Sequence, residues 1–218
     1  ILSGLVGSEM CIRDSSYSPQ YNAASLNSYS SFGLNETADI LLSGFGLNDS
    51  GGKLKINHPV SVSSNGEKLA VTDRFNNRIL IWNSIPSQKT APDIVIGQKN
   101  FDTHNSGNGL DELDFPGQVI ITPDAKLLVA DSDNDRVLVW TNFPQTSGQT
   151  ADYAIPITNY VSMNNSWPWG VWSDGNKTIV TATVSGTILI WNSFPDSNTP
   201  PDVVLTSKSD RDTKINII

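Results

Sequence analysis

Three stretches of the chain finish in the same way: Arg78-Ile-Leu-Ile-Trp-Asn-Ser-Ile-Pro86, Arg136-Val-Leu-Val-Trp-Thr-Asn-Phe-Pro144 and Thr187-Ile-Leu-Ile-Trp-Asn-Ser-Phe-Pro195. Trp82, Trp140 and Trp191 stand 58 and 51 residues apart. A period of roughly fifty residues, with several short apolar runs in each copy, marks a repeat architecture. One such unit cannot bury its apolar faces alone, whereas stacked units can.

Reading outward from each tryptophan gives the rest of the repeat. The first copy runs through Val60 and Val62, a turn at Asn65-Gly66, Leu69–Asp73, the loop Arg74-Phe-Asn-Asn77, Ile79–Trp82 and Asp93–Gly97. The second runs through Val119–Ile121, a turn at Asp124-Ala125, Leu127–Asp131, Val137–Trp140 and Ala151–Ile155. The third runs through Gly170–Trp172, a turn at Asp174-Gly175, Thr178–Thr181, Ile188–Trp191 and Pro201–Leu205. Each copy thus offers four β-rich runs bounded by Gly, Pro, Asn and Asp. Asn-Gly and Asp-Gly tolerate the positive φ of tight hairpins. No stretch carries a helical stripe of useful length. Four antiparallel strands per unit, repeated, predict an all-β β-propeller of four-stranded antiparallel blades. The blades are expected over about residues 58–97, 115–156 and 167–206, with partial blades beside them and the ring incomplete. Large apolar residues on both sides of the strands, Trp172 among them, are expected in the packing between blades. The three repeated tryptophans are expected there too.

Copies one and two end their second strand on an acid and carry an arginine five residues later: Asp73 with Arg78, and Asp131 with Arg136. Copy three has Ala182 and Thr187, so both partners vanish together. The covariation predicts a structural ion pair that closes the loop between strands two and three.

The run Leu127-Leu-Val-Ala-Asp-Ser-Asp-Asn-Asp-Arg-Val-Leu-Val-Trp140 resembles the core of an NHL repeat, as does Leu69–Trp82. The Trp-Asn-Ser-Phe-Pro continuation and Ala91-Pro-Asp-Ile-Val-Ile-Gly-Gln98 resemble those of bacterial NHL-repeat proteins. The likeness covers about residues 37–206 and weakens at Ala182 and Thr187. It implies a propeller used mostly for binding; a minority of such architectures are hydrolases, lactonases or lyases.

Residues 37–218 are therefore assigned to a partial NHL-type propeller. Thr37–Gly44 matches a blade's last strand, and Lys214–Ile218 matches the start of a first strand. Three blades with fragments suggest about half of a six- or seven-bladed ring, with open sheet edges as a route to self-association. Residues 1–15 lack an initiator Met and a signal-peptide pattern and are read as a non-native lead. Residues 16–36, rich in Ser, Asn and Tyr, are read as a disordered linker.

A net charge of −8 with scattered basic residues argues against nucleic acid, whose phosphates it would repel. No apolar stretch is long enough to span a bilayer. The single cysteine, Cys11, leaves no disulfide framework. Family likeness and a lysine-poor, Asn/Ser/Thr-rich composition favour a secreted protein, periplasmic or extracellular.

In a propeller the loops between strands two and three share one face with the blade-to-blade connections, and long loops on a rigid frame carry recognition. Ligand contacts are therefore expected from Arg74, Phe75, Asn76, Asp133, Asn134, Trp167 and Trp169. The two tryptophans suit stacking on sugars or peptides. Asp131-x-Asp133-x-Asp135 has the alternation of a calcium loop, but Arg136 stands where glycine is needed and Asn142 where the bidentate acid belongs. No metal or cofactor is expected. Two histidines, no Gly-x-Ser-x-Gly elbow and no assignable Ser/His/Asp set argue against catalysis within these blades. The expected function is a non-catalytic binding or scaffold module for protein, peptide or glycan. The other reading is a fragment of a metal-dependent propeller hydrolase, lactonase or lyase.

Overall fold

The structure, a computed structural model, describes residues 40, 42, 51–206 and 216–217. The lead over 1–15 and the linker over 16–36 lie outside the described residues. So does most of the strand expected at Thr37–Gly44.

Three antiparallel sheets follow one another along the chain, each built on four consecutive strands and the third carrying a fifth at its edge. Blade one consists of β1 (Pro59–Ser64), β2 (Leu69–Asp73), β3 (Arg78–Trp82) and β4 (Ile94–Ile96). Blade two consists of β5 (Val119–Ile121), β6 (Leu127–Asp131), β7 (Arg136–Trp140) and β8 (Tyr153–Pro156). Blade three consists of β9 (Pro168–Ser173), β10 (Thr178–Ala182), β11 (Thr187–Trp191) and β12 (Val203–Thr206). Within each blade the strands pair in chain order, the pattern of an incomplete β-propeller. No helix among the described residues is long and apolar enough to cross a membrane.

Recurring side-chain bonds hold each blade in the same shape. The indoles of Trp82, Trp140 and Trp191 donate to the carbonyls of Thr90, Gln149 and Thr199. Asp93, Asp152 and Asp202 accept the amide that follows each tryptophan, at 2.6–2.8 Å. The hairpins between first and second strands are wider than two-residue turns. Ser64 pairs with Leu69 and Ser173 with Thr178. The Asn65 and Asp174 carboxyl or amide oxygens each accept two amides inside these loops, which is what selects them there.

Blades pack face to face. Ala70, Ile79, Ile81, Ile94 and Ile96 of blade one meet Val119, Leu127, Val129, Leu138 and Trp140 of blade two. Leu128, Ala130, Val137 and Val139 on the other side of blade two meet Val171, Val180, Leu189 and Trp191 of blade three. All three repeated tryptophans are buried, Trp140 and Trp191 between adjacent blades and Trp82 in a separate cluster with Leu80, Val95, Ile56 and Phe101. Trp172 does not share this fate: it is 46% exposed. It lies on the far side of blade three with Ile188, where no described blade covers it. Strand alternation put it on an apolar face correctly, but burial of that face depends on a neighbour.

The terminal segment also departs from expectation. Asn216–Ile217 (β13) does not begin a new inner strand. It pairs with β12 as a fifth strand on the outer edge, Leu205 opposite Ile217. An unpaired edge offers free N–H and C=O groups, and the chain uses them. The edge of β4 is met differently: the Val95 amide donates to Ser147 Oγ, and the Gly148 amide donates to the Val95 carbonyl.

Candidate functional site

The loops between second and third strands gather on one face, and each is a single tight turn of defined geometry. Arg74–Asn76 and Ser132–Asn134 form one 3-10 turn each, ended by Asn77 and Asp135 in the left-handed region at φ 51° and 55°. Asn and Asp reach that conformation more cheaply than most residues. In blade three Gly186 takes the corresponding place at φ 59°.

The paired acid and arginine sit beneath these turns. Arg78 Nε donates to Asp73 Oδ2 at 2.7 Å with both side chains buried, and Arg136 Nε donates to Asp131 Oδ2 at 2.8 Å. Each carboxylate also accepts an Asn side chain, Asn76 or Asn134, and one backbone amide, Asn57 or Asp114. Each guanidinium gathers carbonyls of the loops beside its blade. Arg78 bonds those of Gly52, Lys55 and Phe101; Arg136 bonds those of Asn108, Gly109 and Glu112. The pair is therefore a structural hub that satisfies its own charge and pins a long loop. Burial pushes the Asp131 carboxyl up to about 6, while its amide partner, Asn134 and Arg136 pull it down.

Above the hubs, the loops of blades one and two each clasp the start of the next blade. His58, Phe115 and Trp167 occupy the position before the blade-opening proline, all at positive φ (54°, 44° and 45°). Proline disfavours such a backbone in the residue before it, and a ring adds to the cost. The clasp holds Phe115 and Trp167 there. Asn77 Oδ1 accepts the Phe115 amide at 2.8 Å; Asp135 Oδ1 accepts the Trp167 amide at 2.8 Å, with Ser166 N and Oγ. Arg74 donates to the Pro116 carbonyl and Ser132 to the Pro168 carbonyl. The second loop position touches the ring itself: Phe75 lies 5.2 Å from Phe115, and Asp133 accepts the Trp167 indole.

These clasps build a continuous band across three blades. His58 stacks on Phe75 at 4.0 Å, and Phe75 leans on Phe115. The Arg74 guanidinium lies 5.2 Å from the Phe115 ring, 4.5 Å from Trp169 and 5.6 Å from Trp167. Trp167 and Trp169 meet edge to face. Phe75 and Trp169 present 42% and 39% of their surface to solvent. Burial lowers the pKa of Arg74, and the nearby Asp133 charge offsets part of that.

The expected contacts thus fall into two groups. Arg74, Phe75, Asp133, Trp167 and Trp169 come together in the band, with Arg74 buried beneath its rings rather than projecting. Asn76 and Asn134 turn inward to Asp73 and Asp131. The three carboxylates of Asp131-x-Asp133-x-Asp135 diverge, bonding the hub, the Trp167 indole and the Ser166–Trp167 amides respectively. Sequence reasoning passed over Asp114 and Asn165; it places His58 and Phe115 with Trp167 before the blade-opening prolines but favours a packing role for His58 and names neither as a ligand contact. The recurrence of a ring before each blade-opening proline is the sequence signal for this position.

Beside the band, between blades two and three, lies a shallow cavity of about 470 Å³ lined by Asp114, Asp133, Asn165, Trp167 and Val184. Burial raises the Asp114 carboxyl above the usual range, and the Asp133 charge adds to the shift.

Several solved propeller structures are similar to this chain. A candidate 6-phosphogluconolactonase from Bacteroides uniformis has a TM-score of 0.47 at 14% identity, over 68% of this chain and 42% of its own. A streptogramin B lyase gives 0.40 at 10% identity, over 67% and 47%. Virginiamycin B lyase from Staphylococcus aureus gives 0.41 at 10% identity, over 73% and 54%. This chain therefore spans about half the length of these proteins. No protein-family model matches it, and no curated protein does.

Proposed function

We propose that the chain is an NHL-type β-propeller binding module that recognises a protein, peptide or glycan through its loop-rich face. The observation that supports this reading is the aromatic band. Five rings and one guanidinium from three blades form a single surface, three of the rings are exposed, and the strained Phe115 and Trp167 are held by side chains of the preceding blade. Large rigid rings bury much area at little entropic cost, so they serve as anchors in interfaces. Strained backbone that is clamped from outside is a feature of functional surfaces.

The test is binding to arrayed peptides and glycans, with affinities measured for whichever probe the wild-type protein retains. Phe75→Ala and Trp169→Ala are each expected to weaken it about tenfold or more, equivalent to ~1.4 kcal/mol. Trp172→Ala, on the open side of blade three, is expected to leave it unchanged, as is a chelator. Unaltered affinity in both band variants ends this reading; loss on chelation redirects it to metal-dependent chemistry.

A further inference from the structure

The cavity between blades two and three carries an unbalanced charge. Asp114 and Asp133 line it, and Asp133 faces both the Arg74 charge and that of Asp114. Two carboxylates against one guanidinium leave one negative charge over. The Asp114 backbone is fixed at the cavity wall, its amide on Asp131 Oδ1 and its carbonyl accepting the Asp133 amide. Among the described residues no group donates a hydrogen bond to its carboxyl. A like charge this close disfavours the ionised form of Asp114, and a positive group between the two carboxylates would relieve it.

The remaining walls say what kind of cation fits. The Trp167 indole forms one side, and its N–H is committed to Asp133, so the ring is fixed in orientation. Val184 supplies an apolar patch and Asn165 an amide. A hard divalent ion wants six or more oxygen ligands, and two carboxylates with one amide fall well short. An alkyl chain ending in a positive head is better matched: the stem lies on Trp167 and Val184, the head between the carboxylates. Aromatic faces attract such heads, and the same band already holds one guanidinium in this manner.

We propose that this cavity receives one basic side chain, lysine or arginine, of a peptide lying across the aromatic band. The proposal rests on the reading of this face as a binding surface and narrows it to peptides. The band supplies area; the cavity selects a charge at one position.

The probe is N-acetyl-lysinamide, with N-acetyl-norleucinamide as its uncharged counterpart, added to the full chain. The readout is the Trp167 indole N–H resonance, assigned by its loss in Trp167→Phe. Lysinamide is expected to shift it saturably with a dissociation constant of about 1–10 mM, as suits a single anchor. Norleucinamide is expected to do nothing comparable. Asp114→Asn and Asp133→Asn are each expected to weaken the response about fivefold or more, with the melting temperature preserved for Asp114→Asn. No saturable shift, an equal shift from norleucinamide, an undiminished response in both variants, or the same shift from calcium chloride alone would overturn the proposal. If array ligands bind the wild type and Asp114→Asn leaves them all unaffected, the cavity's role is wrong and the face reading stands. If lysinamide binds while no array ligand does, the reverse holds.

Discussion

Blades two and three are built from one sequence pattern, yet they are stabilised differently. Blade two is covered on both sides: β6 is buried throughout and β7 nearly so. In β10 and β11 of blade three buried residues alternate with partly or fully exposed ones. Blade two closes its upper loop with the Asp131–Arg136 hub, while blade three has Ala182 and Thr187 at those positions and closes the loop with backbone bonds and a glycine. The difference teaches that a strand's pattern fixes which face is apolar, whereas the neighbouring sheet decides how much that face contributes.

The largest effect should come from breaking the hub. Arg136→Ala leaves the buried Asp131 carboxylate without its counter-charge, an arrangement that typically costs about 3–5 kcal/mol. Thr187→Ala, at the matching place in blade three, removes one hydroxyl bond to the Ser185 carbonyl and should cost about 1 kcal/mol. Denaturant unfolding of the two variants measures the gap, and equal losses would break the contrast. Next come the tryptophans. Trp140→Ala opens a cavity between two sheets and should cost about 3–5 kcal/mol. Trp172→Ala, already half in solvent, should cost under about 1 kcal/mol.

The smallest effect is a pH dependence. With Asp131 at about 6 when folded against an ordinary 3.8, the folded protein takes up this proton before the unfolded chain does. Its contribution to stability therefore grows as pH falls through about 6 and levels off below about 4. The melting temperature of the wild type relative to Asp131→Asn should rise between pH 7 and pH 4, by the equivalent of at most about 3 kcal/mol. A constant gap would show that the hub keeps the carboxylate ionised throughout.

Much of this architecture was legible from residue order. The four runs per copy, the three buried tryptophans and the acid–arginine pair all follow from local spacing, because hairpin pairing and a five-residue return are short-range matters. The band was legible only in outline. Arg74 reads as a projecting loop cation, but its guanidinium is drawn under rings by carbonyls 41 and 42 residues away. Asn76 and Asn134 read as ligand contacts, yet the hub claims their amides. Positive φ at Phe115 and Trp167 has no signal in residue type, because it is imposed from the previous blade. Trp172 shows the same limit from the other direction: nothing near it in sequence states whether a partner sheet is present.

The clasp from each loop to the next blade's first ring has a consequence for how such chains can change over generations. Phe115 is presented by Asn77, and Trp167 by Asp135, so no repeat contains its whole share of the surface. Exchange at a boundary just before the blade-opening proline would part each ring from the side chain that aims it. The heritable module is therefore offset from the visible blade: a loop together with the ring that follows it, cut through the middle of two sheets. Gly186, at the corresponding place in blade three, has no side chain with which to make such a clasp.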